Sequence, residues 1–255
     1  MSGLRVAVVT GASSGIGAEL ARALAGRGWR CVLLARREER LRPLAEETNG
    51  EFELCDVSDR GAVEAVAARV LERHPAINLL VNNAGIPARA TFLEGDPQAI
   101  EDVIRTNYLG SVWCLRAFLP GLERGAPSDV VNIVSVAGTV AVPQSGPYSA
   151  SKHAQLAFSR ATAADLRGRG IRVHTVKPGY VETEGFPQGR LPAPVRRIVL
   201  EPDAIAAHVV RSLDRRRGET TVPWFYAPAG GLQALIPNVF ASALARGRRR
   251  SKIVS

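Results

Sequence analysis

Residues 5–24 read RVAVVTGASSGIGAELARAL, and this stretch decides the fold. Arg5–Thr10 is a short apolar run typical of a buried β-strand, and the residues after Gly17 have the composition of a helix. Between them, Gly11, Gly15 and Gly17 let the backbone turn tightly and approach a ligand closely. The N-terminus of a helix behind such a turn presents unpaired N–H groups and a positive dipole end to a pyrophosphate. The stretch therefore predicts a strand, a phosphate-binding turn and a helix.

The remaining chain alternates strand-like and helix-like stretches. Further β-rich runs occupy Arg30–Ala35, Glu51–Cys55, Ile77–Val81, Val130–Val134 and Ile171–Val176. Helical patterns lie between them, at about 59–74, 97–119, 148–169 and 202–216. Such alternation implies right-handed βαβ crossovers and a parallel sheet. We therefore expect residues 1–255 to form a single domain of the α/β class, a Rossmann-like doubly wound parallel sheet with helices on both faces.

Residues that could bind a ligand come at the ends of these runs. Gly11, Asn83, Ser135 and Pro178 each follow a strand pattern. In open α/β sheets, ligands bind beyond the carboxyl ends of the strands. The four positions therefore predict a site at that edge of the sheet.

Tyr148 and Lys152 are the second chemical feature of the sequence. They lie four residues apart at the start of a long helical pattern, so they share a helix face. An unperturbed tyrosine titrates near pH ~10, and a neighbouring cation lowers its pKa. We expect Lys152 to lower the pKa of Tyr148 and to make it a usable general acid or base at neutral pH. Taken alone, a tyrosine and a lysine at this spacing can also be an ordinary surface pair.

The composition of the chain indicates where in the cell the protein is located. No apolar run approaches the roughly 20 residues that span a bilayer, and a strand pattern begins within five residues of the N-terminus, which leaves no room for a signal peptide. We therefore expect a cytoplasmic protein. Cys31, Cys55 and Cys114 lie in apolar stretches without metal-ligand spacing, which favours buried reduced thiols and predicts no metal site.

The formal net charge of +9 is concentrated near the C-terminus. Residues 211–255 hold nine Lys/Arg against only Asp214 and Glu219, so the body of the chain is nearly neutral. A basic tail on a balanced body indicates a contact that the tail makes with a surface or a membrane. It argues against a domain built to bind nucleic acid.

The glycine turn is the first of several ordered matches to a known family. It reads Thr-Gly-x-x-x-Gly-x-Gly over residues 10–17 and lacks the third glycine of the strict GxGxxG fingerprint. Further matches, in chain order, are Asn82-Asn83-Ala84-Gly85, Asn107, Ser135 thirteen residues before Tyr148, Lys152, and Pro178-Gly179 with Thr183. Over roughly residues 4–183 the sequence resembles the short-chain dehydrogenase/reductase family.

The resemblance implies a catalytic tetrad of Asn107, Ser135, Tyr148 and Lys152. For carbonyl reduction, it implies that Tyr148 protonates the oxygen as hydride arrives from a nicotinamide, while Ser135 hydrogen-bonds that oxygen. Lys152 would bind the nicotinamide ribose in addition to lowering the Tyr148 pKa. Asn107 would hold a water molecule in the proton relay.

The resemblance also implies a cofactor site at the same edge of the sheet. Its residues are Gly11, Ser13, Ser14, Gly15, Ile16, Gly17, Arg36, Arg37, Asp56, Val57, Asn83, Ala84, Gly85, Tyr148, Lys152, Pro178, Gly179, Val181 and Thr183. An acidic residue after the second strand would select NAD by bonding the ribose 2′-hydroxyl. Arg36 and Arg37 stand there instead, and two guanidinium groups favour the 2′-phosphate of NADP(H). Alternatively, both arginines merely begin the solvated face of the next helix.

The sequence thus predicts an NADP(H)-dependent oxidoreductase that interconverts a carbonyl group and a secondary alcohol. Alternatives are an NAD-linked alcohol dehydrogenase of the same family and a non-catalytic nucleotide sensor on this fold. Residues 184–200, rich in proline and apolar side chains, suit a lid over a lipophilic small-molecule substrate. The lid arginines favour an anionic group on the substrate, or simply keep the loop soluble. The family resemblance implies a homodimer or homotetramer.

The C-terminal tail, residues 228–255, combines an apolar stripe with a basic cluster. The stripe recurs at helical spacing and consists of Leu232, Leu235, Ile236, Val239, Phe240 and Ala243. Trp224, Phe225 and Tyr226 precede it, and the cluster Arg246, Arg248, Arg249, Arg250 and Lys252 follows it. We expect Pro237 to produce two short helical pieces or a kink in place of one continuous helix. The stripe either packs on a partner subunit, caps the substrate pocket, or makes a peripheral membrane contact.

Overall fold

The structure of the protein is a computed structural model that describes residues 4–88, 95–141, 145–186, 196–240 and 242. The strands of this part of the chain are β1 (Arg5–Thr10), β2 (Trp29–Ala35), β3 (Glu51–Leu54), β4 (Leu79–Asn82), β5 (Ser128–Ile133), β6 (Ile171–Pro178) and β7 (Glu219–Val222). Its α-helices are α1 (Gly15–Ala25), α2 (Glu38–Glu47), α3 (Arg60–Arg73), α4 (Pro97–Ile104), α5 (Gly110–Arg124), α6 (Gly146–Asp165), α7 (Pro202–Asp214) and α8 (Ala227–Leu235).

The strands form one parallel sheet in the order β3-β2-β1-β4-β5-β6-β7. The order reverses between β1 and β4, so the crossover connections leave these two strands in opposite directions. A crevice therefore opens at the carboxyl ends of β1 and β4. The predicted Rossmann-like, doubly wound fold is confirmed.

Alternate residues of the central strands pack on opposite layers of helices. In β1, Ala7 and Val9 belong to one apolar cluster, and Val6 and Val8 belong to the other. The first cluster includes residues of α1, α2 and α7: Leu20, Leu24, Leu41, Leu44, Ile205 and Val209. The second includes residues of α3 and α5: Val63, Val66, Val70, Cys114, Phe118 and Leu122. Burial on both faces explains the near-continuous apolar runs that predict these strands.

The helical pattern predicted over 97–119 is interrupted in the structure. A π-helical segment, Arg105–Leu109, joins α4 to α5 and carries Asn107 at its centre. Such segments insert an extra residue into a helix and are frequent at functional sites. The sequence pattern does not reveal the segment, because the apolar spacing on either side of it stays helical.

The C-terminal segment contains the predicted helix break. α8 ends at Leu235, Ile236 leaves the helical conformation with a φ of −131°, and the helix resumes over residues 237–240. Pro237 has no N–H group to donate, which is tolerated in the first turn of a helix and not inside it. The chain therefore restarts its helix at the proline.

Parts of two predicted features lie outside the described residues. These parts are lid residues 187–195 and, in the tail, Ala243 with the basic cluster from Arg246 to Lys252. Val239 and the apolar residues before it in the stripe are described. Of the helices in the described ranges, none is long and apolar enough to cross a membrane.

Gly17→Ala is expected to destabilise the fold. A methyl group on residue 17 would lie 2.4 Å from the carbonyl oxygen of Gly11 and 2.5 Å from Nδ2 of Asn83. Overpacking of this kind costs about 1–3 kcal/mol, and we expect a loss of that size in the free energy of urea unfolding. Gly168→Ala is the control, since no described heavy atom lies within 4 Å of the position of its methyl group. Equal stability of the two variants would contradict the packing argument.

Candidate active site

The residues after β4 hold the glycine turn between β1 and α1 in place. Thr10 Oγ1 donates to the Val81 carbonyl at 3.1 Å and accepts hydrogen bonds from the backbone N–H groups of Asn83 and Ala84. Asn83 Nδ2 donates to the carbonyls of Thr10 at 2.9 Å and Gly11 at 3.2 Å. These bonds fasten the carboxyl ends of β1 and β4 to each other.

Gly11 is required at this turn for two reasons. Its φ of +65° lies in the left-handed region, and a Cβ atom there would lie 2.7 Å from the Cα atom of Ala84. α1 begins at Gly15, so the unpaired N–H groups of its first turn follow the glycine turn directly. The arrangement provides the anion-binding helix N-terminus that the sequence predicts.

One cavity of about 1170 Å³ runs along the carboxyl ends of the strands. The predicted site residues that line it are Gly11, Ser13, Ser14, Gly15, Ile16, Arg36, Arg37, Asp56, Val57, Asn83, Ala84, Gly85, Ser135, Tyr148, Lys152, Pro178, Gly179, Val181 and Thr183. Gly17 and Asn107 are absent from this lining. Gly17 instead packs against the glycine turn, and Asn107 is fully buried in the π-helical segment.

Arg37 is closely integrated into the cavity wall. Its guanidinium donates to Ser13 Oγ at 3.0 and 3.2 Å and to Ser14 Oγ at 2.8 Å. It also forms an ion pair with Glu184 at 3.0 Å. The hydroxyls of Ser13 and Ser14 and the guanidinium of Arg37 therefore lie together near the carboxyl end of β2.

Arg36 and Asp56 form a looser pair at the same end of the cavity. Their side chains are 3.5 Å apart, and Arg36 is largely exposed. Partial burial raises the pKa of Asp56, but hydrogen bonds from Ser58 and the charge of Arg36 outweigh it and lower the pKa overall. The carboxylate of Asp56 is therefore ionised at neutral pH.

Tyr148 and Ser135 meet inside the cavity. Tyr148 lies in the first turn of α6, and Ser135 follows β5. The surrounding protein raises the pKa of Tyr148 to about 12, because desolvation disfavours the phenolate more than the hydrogen bond with Ser135 favours it. The prediction that Lys152 lowers the pKa of Tyr148 is wrong for this structure, since burial dominates.

Lys152 is buried and has partners other than the Tyr148 hydroxyl. Its Nζ lies 5.9 Å from the centre of the Tyr148 ring and donates to the Ile133 carbonyl at 3.0 Å and to Gln155 Oε1 at 2.8 Å. Burial lowers the pKa of Lys152 to about 7. The amine is therefore divided between its charged and neutral forms near neutral pH.

Asn107 connects the segment after β4 to α6. Its Oδ1 accepts a hydrogen bond from the Ile86 N–H group at 2.8 Å. Its Nδ2 donates to the Ile86 carbonyl and to Ser151 Oγ, both at 3.0 Å. Since Ser151 lies on the helix that carries Tyr148 and Lys152, Asn107 positions that helix against the sheet. Its predicted role in holding a water molecule stays a prediction.

A chain of buried polar groups leads from Lys152 back to the π-helical segment. Gln155 accepts from Lys152 and donates through Nε2 to Ser111 Oγ at 2.9 Å. Ser111 Oγ donates in turn to the backbone carbonyl of Asn107 at 3.3 Å. Gln155 and Ser111 are functional candidates that the sequence reading missed. Gln155 could have been identified from its spacing, because it follows Lys152 by three residues and so shares its helix face.

Tyr226, just before α8, also lines the cavity and was not among the predicted site residues. Its ring packs over Gly179, where a Cβ atom would lie 2.5 Å from Cε2 of Tyr226. Its hydroxyl is buried and has no hydrogen-bond partner among the described residues. Ala229 of α8 lies in the same wall. Tyr226 and Ala229 therefore form part of the pocket wall, whereas the described residues of the apolar stripe do not line it.

Other parts of the cavity wall are apolar. They include Ile86, Pro87, Ala88, Val136, Ala137, Val140 and Phe186. The ring of Phe186, at the start of the predicted lid, lies 5.3 Å from the ring of Tyr148. The wall therefore suits an apolar molecule beside Tyr148.

Across the described ranges, no group of His, Cys, Asp and Glu side chains could hold a metal ion.

The buried Lys152 predicts a pH dependence of stability. Its pKa is about 7 in the folded protein and 10.5 when unperturbed, as in the unfolded chain. Between these values the unfolded chain binds a proton that the folded protein does not bind. The contribution of Lys152 to stability is therefore lowest below pH 7 and rises by about 1.4 kcal/mol per pH unit in this interval.

We expect the difference in unfolding free energy between wild type and Lys152→Met to show this slope from about pH 8 to pH 10. The measurement is urea unfolding at a series of pH values. The variant leaves Ile133 and Gln155 without their partner at every pH, which shifts the difference but not its slope. A difference that does not change with pH would contradict the lowered pKa.

Known proteins are similar to this chain in sequence and in fold. A family model described as short chain dehydrogenase matches residues 5–190. A putative ketoacyl reductase of Streptomyces coelicolor is 40% identical over 70% of this chain and 71% of its own length. An alcohol dehydrogenase from the archaeon Thermococcus sibiricus, complexed with 5-hydroxy-NADP, has a TM-score of 0.76 and 32% identity, with 86% of this chain and 95% of that chain covered. A short chain dehydrogenase/reductase from Burkholderia phymatum in complex with NAD has a TM-score of 0.82 and 26% identity, with 92% and 95% covered. This chain therefore belongs to the short-chain dehydrogenase/reductase family of oxidoreductases.

Proposed function

We propose that this protein is an NADP(H)-dependent oxidoreductase that interconverts a carbonyl group and a secondary alcohol on a lipophilic small molecule. The observation that carries the proposal is a single cavity in which Tyr148 and Ser135 share space with the glycine turn and with Arg36 and Arg37. The names of two similar proteins, a ketoacyl reductase and an alcohol dehydrogenase, support the same reaction class.

The residues of the cavity fit a dinucleotide. The glycine turn and the first turn of α1 line the cavity, where unpaired N–H groups suit a pyrophosphate. Ser13, Ser14 and Arg37 gather donors that suit a ribose 2′-phosphate, and Arg36 adds a second positive charge. When bound, the nicotinamide supplies or accepts the hydride.

We assign the proton transfer to Tyr148. Because its pKa is raised to about 12, Tyr148 keeps its proton at neutral pH and can donate it to a carbonyl oxygen that is being reduced. Ser135, already hydrogen-bonded to Tyr148, would hold the same oxygen. In this protonation state Tyr148 is the acid of the reduction, and the reverse reaction needs Tyr148 without its proton.

Lys152 and Asn107 take the supporting roles that the family resemblance implies. Lys152 would bind the nicotinamide ribose, and Asn107 would belong to the proton relay. In this chain, Gln155 and Ser111 connect the two through buried hydrogen bonds. These hydrogen bonds fix the position of the Lys152 amine relative to the π-helical segment that carries Asn107.

An NAD-linked alcohol dehydrogenase is the second candidate. The ion pair between Arg37 and Glu184 offsets part of the charge that a 2′-phosphate would meet. The similar Burkholderia phymatum protein was solved in complex with NAD. Both observations favour a cofactor without the extra phosphate, and the arginine variants below distinguish the two candidates.

We also propose that the protein is a cytoplasmic homodimer or homotetramer. Membership of the family supports the assembly, and light scattering of the purified chain measures it. Cys31, Cys55 and Cys114 are buried without disulfides in the structure, as predicted, and such thiols suit a reducing compartment.

Tyr148→Phe is expected to reduce kcat to about a hundredth of wild type or less, because general acid catalysis contributes at least that factor. Affinity for the nucleotide should stay close to wild type, since only the hydroxyl is removed. The measurement combines steady-state turnover with a fluorescence titration. Tyr108→Phe is the control, because Tyr108 packs on Phe158 and does not line the cavity. A Tyr148→Phe enzyme with a tenth of wild-type kcat would exclude Tyr148 as the acid.

Arg36→Ala and Arg37→Ala are each expected to weaken NADPH binding by about ten- to a hundred-fold, since a hydrogen bond to a charged group contributes about 1.5–3 kcal/mol. NADH binding should change little, because NADH has no 2′-phosphate. The measurement is a titration of each variant with both nucleotides. Arg42→Ala is the control, since Arg42 lies on α2 outside this cavity. Equal weakening of both nucleotides, or of neither, would refute the NADP(H) assignment.

A further inference from the structure

The C-terminal segment exposes a row of large apolar side chains. Their exposed fractions are 78% for Trp224, 45% for Phe225, 50% for Leu232, 81% for Leu235, 45% for Ile236 and 63% for Val239. We call these six residues the tail surface. Elsewhere in the described chain, the large apolar side chains with comparable exposure are Leu4, Leu54 and Tyr180. Clustered exposure of this kind marks a contact surface, whereas single exposed apolar residues are ordinary.

The opposite side of α8 contacts the body of the protein, so the tail surface faces away from the body. Gln233 Oε1 accepts a hydrogen bond from the Ala141 N–H group at 2.7 Å, and Gln233 Nε2 donates to the Ala141 carbonyl at 3.3 Å. Gly230 packs so closely on Thr139 that a Cβ atom would lie 2.7 Å from its side chain. Ala229 lines the cavity. Ala229, Gly230 and Gln233 therefore contact the body of the protein, whereas Leu232 and Leu235 of the same helix are exposed.

The charge of the tail selects the kind of partner. Glu219 is the last acidic residue of the chain, and five basic residues, Arg246 to Lys252, follow the tail surface in the sequence. Such a cluster is attracted to anionic lipid headgroups. A second copy of this chain carries the same basic cluster and would repel it. Exposed Trp224 and Phe225 also suit the interfacial layer of a bilayer, where aromatic side chains are enriched.

We propose that the tail surface docks on an anionic lipid membrane, with α8 lying in the plane of the interface. The docking proposal is based on the exposure and charge described above and does not depend on the proposed reaction. Its consequence for catalysis does rest on the proposed function: because α8 also forms part of the cavity wall, docking brings the pocket close to a lipid phase that holds lipophilic substrates.

The experiment is sedimentation of the full chain with vesicles of phosphatidylcholine alone and of phosphatidylcholine with phosphatidylserine. We expect binding to the anionic vesicles that weakens with added salt. The double variant Leu235→Asp/Val239→Asp should bind at least about tenfold more weakly, since burial of each side chain contributes more than 1 kcal/mol. Leu4→Asp, which adds a charge at another exposed apolar residue, should bind like wild type.

Two further measurements separate the outcomes. Turnover of a water-soluble carbonyl substrate by the double variant should equal that of wild type, so lost vesicle binding is not a folding defect. This readout also keeps failure of the docking proposal distinct from failure of the proposed reaction. Absence of vesicle binding by the full chain, or equal binding by the double variant, would overturn the proposal. Sedimentation velocity without vesicles identifies the competing outcome: if the double variant alone is monomeric, the tail surface is a subunit interface and the membrane proposal is wrong.

Discussion

The hydrogen bonds that Asn83 donates to the glycine turn hold the site together. They fasten the end of β1 to the end of β4, the two strands between which the sheet order reverses. Because the crossover connections leave this point in opposite directions, the crevice between them stays open to a ligand. The same close contact leaves no room for a Cβ atom at Gly11 or Gly17. These glycines therefore serve the packing of the crevice.

Burial determines the chemistry on the other side of the crevice. Loss of water disfavours a phenolate and an ammonium alike, so it raises the pKa of Tyr148 and lowers that of Lys152. The result is a protonated phenol near an amine that can lose its charge at neutral pH. The phenol keeps a proton that it can donate, but the raised pKa makes it a weaker acid, and the buried lysine lowers the stability of the fold. Function and stability oppose each other at this residue.

Local patterns in the sequence predict the fold and the place of the site, because the strand, turn and helix around Gly11 are encoded by neighbouring residues. The spacing of Tyr148 and Lys152 likewise shows which side chains share a helix face. The direction of the Tyr148 pKa shift could not be predicted in this way, since it depends on desolvation by residues distant in the chain. The partners of Lys152 include a backbone carbonyl, that of Ile133, which a side-chain pattern does not reveal. The orientation of α8 depends on Gln233 meeting a residue 92 positions earlier.

In the proposed reaction, hydride transfer and protonation by Tyr148 occur in one cavity. The most direct test is turnover of a panel of apolar ketones with NADPH deuterated at the transferable position of the nicotinamide, followed by mass spectrometry of the products. We expect secondary alcohols that carry deuterium on the carbinol carbon, formed by wild type and not by Tyr148→Phe. Tight NADPH binding with no cofactor oxidation on any carbonyl compound would contradict it and would indicate a nucleotide sensor instead.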